Sequence, residues 1–206
     1  EVLARFGASL ADARTRAILE GIATTSPARA EGSVAEHHRQ QVLRLARQFG
    51  MAVSEGSPAA GFSWDGRSLR ADTEAYVLLH EVAHYQLAAP ARRSVIDFGL
   101  GAGPDTGERT TAEGAAVLFG VAREREEAMA SLLGILWEVA VGQPALASFL
   151  DQNWLEGAGS PATARHFGDV LDALLRAGFI EPDGRPTTRL RTAPDGVDPF
   201  LDRAVA

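Results

Sequence analysis

Residues 71–88 of this 206-residue chain read ADTEAYVLLHEVAHYQLA, and no other stretch constrains the fold as tightly. Two histidines four positions apart stand one turn above the other on an α-helix, so His80 and His84 can reach one ion from the same face. Glu81 then lies about 100° round the helix, beside the ion, where it can take a proton from metal-bound water. Val82 and Ala83, with Val77, Leu78, Leu79 and Leu87, supply the apolar surface that packs the helix and excludes solvent. Imidazole and carboxylate left unpaired in such a run would cost stability. We therefore read HEVAH as a metal-binding helix over about Ala71 to Ala88, stopped near Pro90, and not as a chance match.

A catalytic site normally adds a third protein ligand and leaves positions open. The run Arg123-Glu124-Arg125-Glu126-Glu127 opens the next long helix, read from Glu124 to Val141, and acids in a first turn also serve the helix dipole. Periodicity leaves the choice open. Glu126 continues the apolar row Met129, Leu133, Leu136, whereas Glu127 continues the small and polar row Ser131, Gly134, Glu138, which a metal helix could approach closely. Glu127 is preferred, then Glu126, then Glu124.

Composition narrows the chemistry. Cysteine and lysine are absent, which removes thiolate nucleophiles, disulfides, cysteine-bound zinc, Schiff bases and a phosphate-loop lysine. The net charge of −7 argues against a nucleic-acid partner. No run approaches the roughly 20 apolar residues of a membrane span, and zero cysteine fits a cytoplasmic protein. The expected fold is mainly α: one domain over residues 1–206, its zincin-like HExxH helix packed on the ligand-bearing helix. Further helices are expected over Val2 to Ile22, from a cap at Ser33 to near Gly50, and over Ala162 to Ala177. A loop is expected over Ser54 to Gly66, and a glycine-rich one over Phe98 to Gly120 that walls the metal cleft. Phe179-Ile180, Asp183-Gly184 and Thr187 to Leu190 suggest a small C-terminal β-hairpin.

The run HEVAHYQLAAPARRSVIDFG, then Pro104-Asp105 near Gly107, then EVAVGQP closing the Glu-rich helix, then NWLEG at Asn153 to Gly157, resembles the elongation factor P hydroxylase family over about Ala71 to Gly157. Ala91-Arg92-Arg93 and Asp97-Phe98-Gly99 at matching distances add to the motif. The resemblance implies a non-haem iron oxygenase acting on a modified lysine of an acidic translation factor, with His80, His84 and Glu127 as ligands. It also marks two departures: Leu100-Gly101-Ala102-Gly103 where the family has aromatics, and Tyr85 where it has tryptophan.

One divalent ion on two histidines and a carboxylate suits Fe(II) in an oxygenase, the favoured reading, with a protein side chain or a small molecule as substrate. The alternative is a zinc peptidase, with Glu81 as general base and a donor such as Tyr76, Tyr85 or His166 for the oxyanion. A structural zinc site ranks third, because it would need His166 or Asp97 as a fourth ligand. Asp97 reads equally as an exposed partner of Arg93 or as acceptor of a ligand histidine's ring N–H. Arg92 could hold a carboxylate in or near the pocket, but a solvated surface position is favoured. His37 and His38 diverge on their helix and read as solvated, and His166 reads as a capping or packing residue.

Overall fold

The computed structural model describes residues 1–54, 61–103 and 106–196, and within them the chain is mainly helical. The expected first helix divides into α1 (Val2–Ser9) and α2 (Ala13–Ala23). Asp12 is the reason: its carboxylate accepts from Thr15 N at 2.8 Å and Thr15 Oγ1 at 2.6 Å, capping a new helix where the apolar period alone would have continued the old one. α3 (Gly32–Gln48) starts one residue before Ser33, which is not its cap, and Gly50 follows its end in the left-handed region at φ 82°. Strands β1 (Ala52–Ser54) and β2 (Ser68–Arg70) then pair in parallel, Val53 against Leu69.

The metal-motif helix, α4, runs Ala75–Leu87, starting four residues later than the apolar period suggested. Proline at position 90 opens a 3₁₀ turn, Pro90–Ser94, followed by a tight turn over Ile96–Gly99 whose backbone leaves the right-handed helical region at Asp97 and Phe98. The expected loop over 98–120 contains a short helix, α5 (Arg109–Gly114), whose Glu113 carboxylate accepts from Ala102 N at 3.2 Å. The long helix, α6, spans Gly120–Ala140, and α7 (Ala145–Asp151), α8 (Glu156–Gly159) and α9 (Pro161–Arg176) complete the order. α9 begins as a capped helix should, with Ser160 Oγ accepting from Thr163 N and Pro161 in its first turn. The C-terminal hairpin reduces to a tight turn at Asp183-Gly184 with a single antiparallel bridge, Ile180 to Pro186.

α4 and α6 form the centre. α4 buries Val77, Leu78, Leu79, Val82, Ala83 and Leu87, and the second half of α6 buries Leu132, Leu133, Ile135 and Leu136, so α4 and that half of α6 are apolar nearly all round, as core helices are. They come close together at Gly134, where an added Cβ would stand 3.4 Å from the backbone Cα and N of His80. The segment after the tight turn crosses α4 as a strap. Gln86, fully buried, donates to the carbonyls of Thr187 (2.9 Å) and Arg189 (3.0 Å) and accepts from Trp137 Nε1 (2.7 Å). That side chain thereby satisfies the strap's otherwise orphaned carbonyls. Among the described residues no helix is long and apolar enough to cross a membrane.

At the other end of the Gly134 row, Glu138 is buried beside Ser148, with Arg29 Nη1 at 3.5 Å. Burial raises its carboxyl to about 7 against the opposing pull of Ser148 and Arg29. The folded chain therefore holds this proton more tightly than the unfolded chain does, and stability falls as pH rises from about 4.5 to about 7. Glu138→Gln should leave stability unchanged near pH 4 and raise it at pH 8 by on the order of 1–3 kcal/mol. Urea titrations at both pH values would check this, and equal stability of the two proteins at pH 8 would contradict it. Gly134→Val should cost about 1–3 kcal/mol by forcing α4 and α6 apart, read from the same titrations.

Candidate metal centre

Glu127, Ser131, Gly134 and Glu138 share one face of α6, and the close approach at Gly134 turns the histidine face of α4 toward the Glu127 end of that row. His84 Nε2 lies 2.9 Å from His80 Nε2, and Glu127 Oε2 lies 3.3 Å from His84 Nε2 and 3.7 Å from His80 Nε2. Donor atoms about 2.1 Å from a four- to six-coordinate ion lie roughly 3.0–3.4 Å from one another. The triad already has nearly that spacing, and His80, His84 and Glu127 could hold a metal ion. The three acids that periodicity left open are separated by their surroundings: Glu124 is exposed, Glu126 is buried in an ion pair, and Glu127 faces the histidines.

His84 is 4 % exposed. Burial pulls its pKa down, but the charge and hydrogen bond of Glu127, with the charges of Glu81 and Glu126, overcome it and carry the imidazole to about 9. Burial likewise pushes Glu127 up, yet His84 and His80 hold it well below the usual carboxylate range. Each group thus favours the charged form of the other, and a divalent cation bound there would displace the imidazole proton.

The neighbours differ from expectation in three places. Asp97 does not take the ring N–H of a ligand histidine: its Oδ2 accepts from Thr106 Oγ1 at 2.7 Å, while the buried Nδ1 of His84 has no hydrogen-bond partner among the described residues. Nor does Arg93 pair with Asp97. It donates to the carbonyls of Tyr85 (2.9 Å) and Arg191 (2.7 Å), because the strap passes within its reach. Arg92, expected in solvent, is 2 % exposed and holds the Glu126 carboxylate with two nitrogens, at 2.9 and 2.5 Å. Asp97 and Phe98 both adopt positive φ, 43° and 54°, an uncommon backbone for such residues. This bend presses the Phe98 ring against His84 (centroids 5.7 Å) with Trp64 stacked behind it (5.4 Å). Tyr85 packs edge-on against Trp64 and Phe98, behind the cleft.

The triad opens on a cleft of about 780 Å³. Phe98, Leu100, Gly101, Gly103 and Thr106 form one wall, so the first part of the glycine-rich loop lines it as expected; Pro104 and Asp105 lie outside the described residues. Glu81 and Asp97 also line the cleft. Gln152, Asn153, Trp154 and His166 also line the cleft, from a part of the chain that sequence reasoning left unplaced. His166 does pack as expected, stacked on Trp154 at 5.6 Å, but it also faces the cleft. In the sequence, only NWLEG within the resemblance and His166 as a candidate donor pointed to these residues, and the backbone turns sharply at Asn153, which has φ 53°.

No family model matches the chain, and no curated protein or solved structure matches it significantly. The functional reading is carried by the site itself. Glu127→Ala should lose metal on dialysis while Glu124→Ala retains it, as elemental analysis would record. Retention in the first variant with loss in the second would move the third ligand.

Proposed function

We propose that this chain is a mononuclear metalloenzyme of the oxygenase type, hydroxylating a protein side chain or small molecule that enters the cleft. The observation that carries the proposal is a group of two histidines and one carboxylate, with no fourth ligand in that group among the described residues, beside a roomy cleft. Open positions argue against a purely structural ion, which is normally closed by four protein ligands. Fe(II) bound there would supply dioxygen activation. The chain's own part is to orient and to dry the site. His80, His84 and Glu127 fix one face, Phe98 and Leu100 limit water on one side, and Glu81, in the cleft beside His80, is the group able to carry a proton. The resemblance to elongation factor P hydroxylases supports the same chemistry, with an acidic translation factor among the protein partners to test.

A zinc peptidase is the second reading, favoured by one observation: Tyr76 and His166, unlike Tyr85, line the cleft and could face a developing oxyanion. Protein purified without oxygen and without added metal separates the two. Near-stoichiometric iron with dioxygen uptake on Fe(II) loading is the expected result. Tightly held zinc with cleavage of peptide substrates would replace the oxygenase by the peptidase. Glu81→Gln should keep the metal and reduce turnover by about 10²–10⁴-fold, the usual contribution of a positioned acid or base. Loss of metal in that variant would make Glu81 a ligand.

A further inference from the structure

We infer that Arg92 is the positioning residue of the metal centre: its buried guanidinium holds Glu127 and His84 in register from behind. The inference rests on the metal reading of His80, His84 and Glu127. It begins with an imbalance in α6. From Phe119 to Arg125 every residue except Arg123 is exposed, and continuous core packing begins only at Met129. Glu127 therefore stands on a helix end that apolar contacts hold weakly. The buried anchor in that end is Glu126, next in sequence to the ligand.

Arg92 grips that anchor with Nη1 and Nη2, and the same Nη1 donates to the carbonyl of Phe98 at 2.7 Å. Phe98 is the residue whose ring lies against His84. One planar group thus ties the Glu127 end of α6 to the turn that backs His84, a geometry that a two-pronged guanidinium permits and an ammonium does not. The strap completes the arrangement. Asp195 Oδ2 accepts from Arg92 Nε at 2.8 Å, and Arg191 Nη1 lies 3.9 Å from Glu126 and 3.6 Å from Asp195, so two cations and two anions alternate. Among the described residues Arg92 makes no hydrogen bond or ion pair with His80, His84 or Glu127; it acts through Glu126 and Phe98, and removing it should disturb coordination more than a loss of stability alone would.

The test is Co(II) titration followed by visible absorption, which reads both affinity and ligand geometry, on wild type, Arg92→Lys and a core control, Ile22→Val. Arg92→Lys should weaken Co(II) binding about 10–100-fold, the range for groups that orient metal ligands, and shift the absorption bands. Ile22→Val should bind as wild type. Wild-type affinity and bands in Arg92→Lys would overturn the inference, as would equal weakening in the control. Should Arg92→Lys fail to fold, Glu126→Gln decides: it keeps the volume but weakens the grip, so weaker binding is expected and unchanged binding overturns the inference. Absence of Co(II) binding by wild type would instead sink the metal reading on which this rests.

Discussion

The approach of α4 and α6 at Gly134 is the contact on which the rest depends. Helices ordinarily pack with axes 8–10 Å apart, the distance set by the side chains between them. A glycine opposite the backbone of His80 puts nothing there, and α6 comes close enough for Glu127, two turns toward its N-terminus, to reach the histidine pair. The glycine costs helix stability, about 0.5–1 kcal/mol relative to alanine. Its gain is geometric. Ser131 continues the same small row, and its Oγ is tied to Gln152 and Trp154, so this part of the cleft lining is hung from the helix that carries Glu127.

The same row ends in two carboxylates with opposite fates. Glu127 meets two imidazoles and is held ionised; Glu138, one turn beyond Gly134, meets burial with little compensation and is pushed toward its neutral form. Neither outcome is a property of glutamate or of helix position. Each follows from what the neighbouring elements bring up against that face: α4 at one end, α7 and Arg29 at the other.

What could be read from the sequence was what is local and periodic. HEVAH placed its two histidines together because a helix has 3.6 residues per turn, and the row Glu127, Ser131, Gly134 marked a face that a neighbour could approach closely. Where local competition was subtle, the reading failed. The Asp12 cap broke a helix that its apolar period supported, and α5 formed inside a glycine-rich stretch. Long-range partners were out of reach altogether. Arg92 reads as an ordinary surface arginine until Glu126, 34 positions on, and Asp195, 103 positions on, are seen to enclose it. The cleft lining from Gln152 to His166 was unplaced for the same reason.

Among the described residues the buried Nδ1 of His84 has no hydrogen-bond partner, which bears on how the histidine pair is held. Ligand histidines usually donate this N–H to a carboxylate or carbonyl, which fixes the ring and raises its basicity. Here the ring is fixed by stacking: Phe98 lies nearly parallel to it, at 24°, and Trp64 lies behind Phe98 at 5°. Stacking constrains the plane of the imidazole without adding electron density to it. The basicity of the pair comes instead from the Glu127 side, where the carboxylate faces Nε2 directly. The positive φ of Asp97 and Phe98 is the backbone cost of bringing that aromatic ring into place. Because Asp97 is turned to Thr106 by the same bend, its carboxylate lines the cleft and leaves the histidine to the stack. Orientation of His84 therefore depends on an aromatic pile and its charge chiefly on Glu127, with smaller contributions from Glu81 and Glu126, so the two properties rest on different side chains.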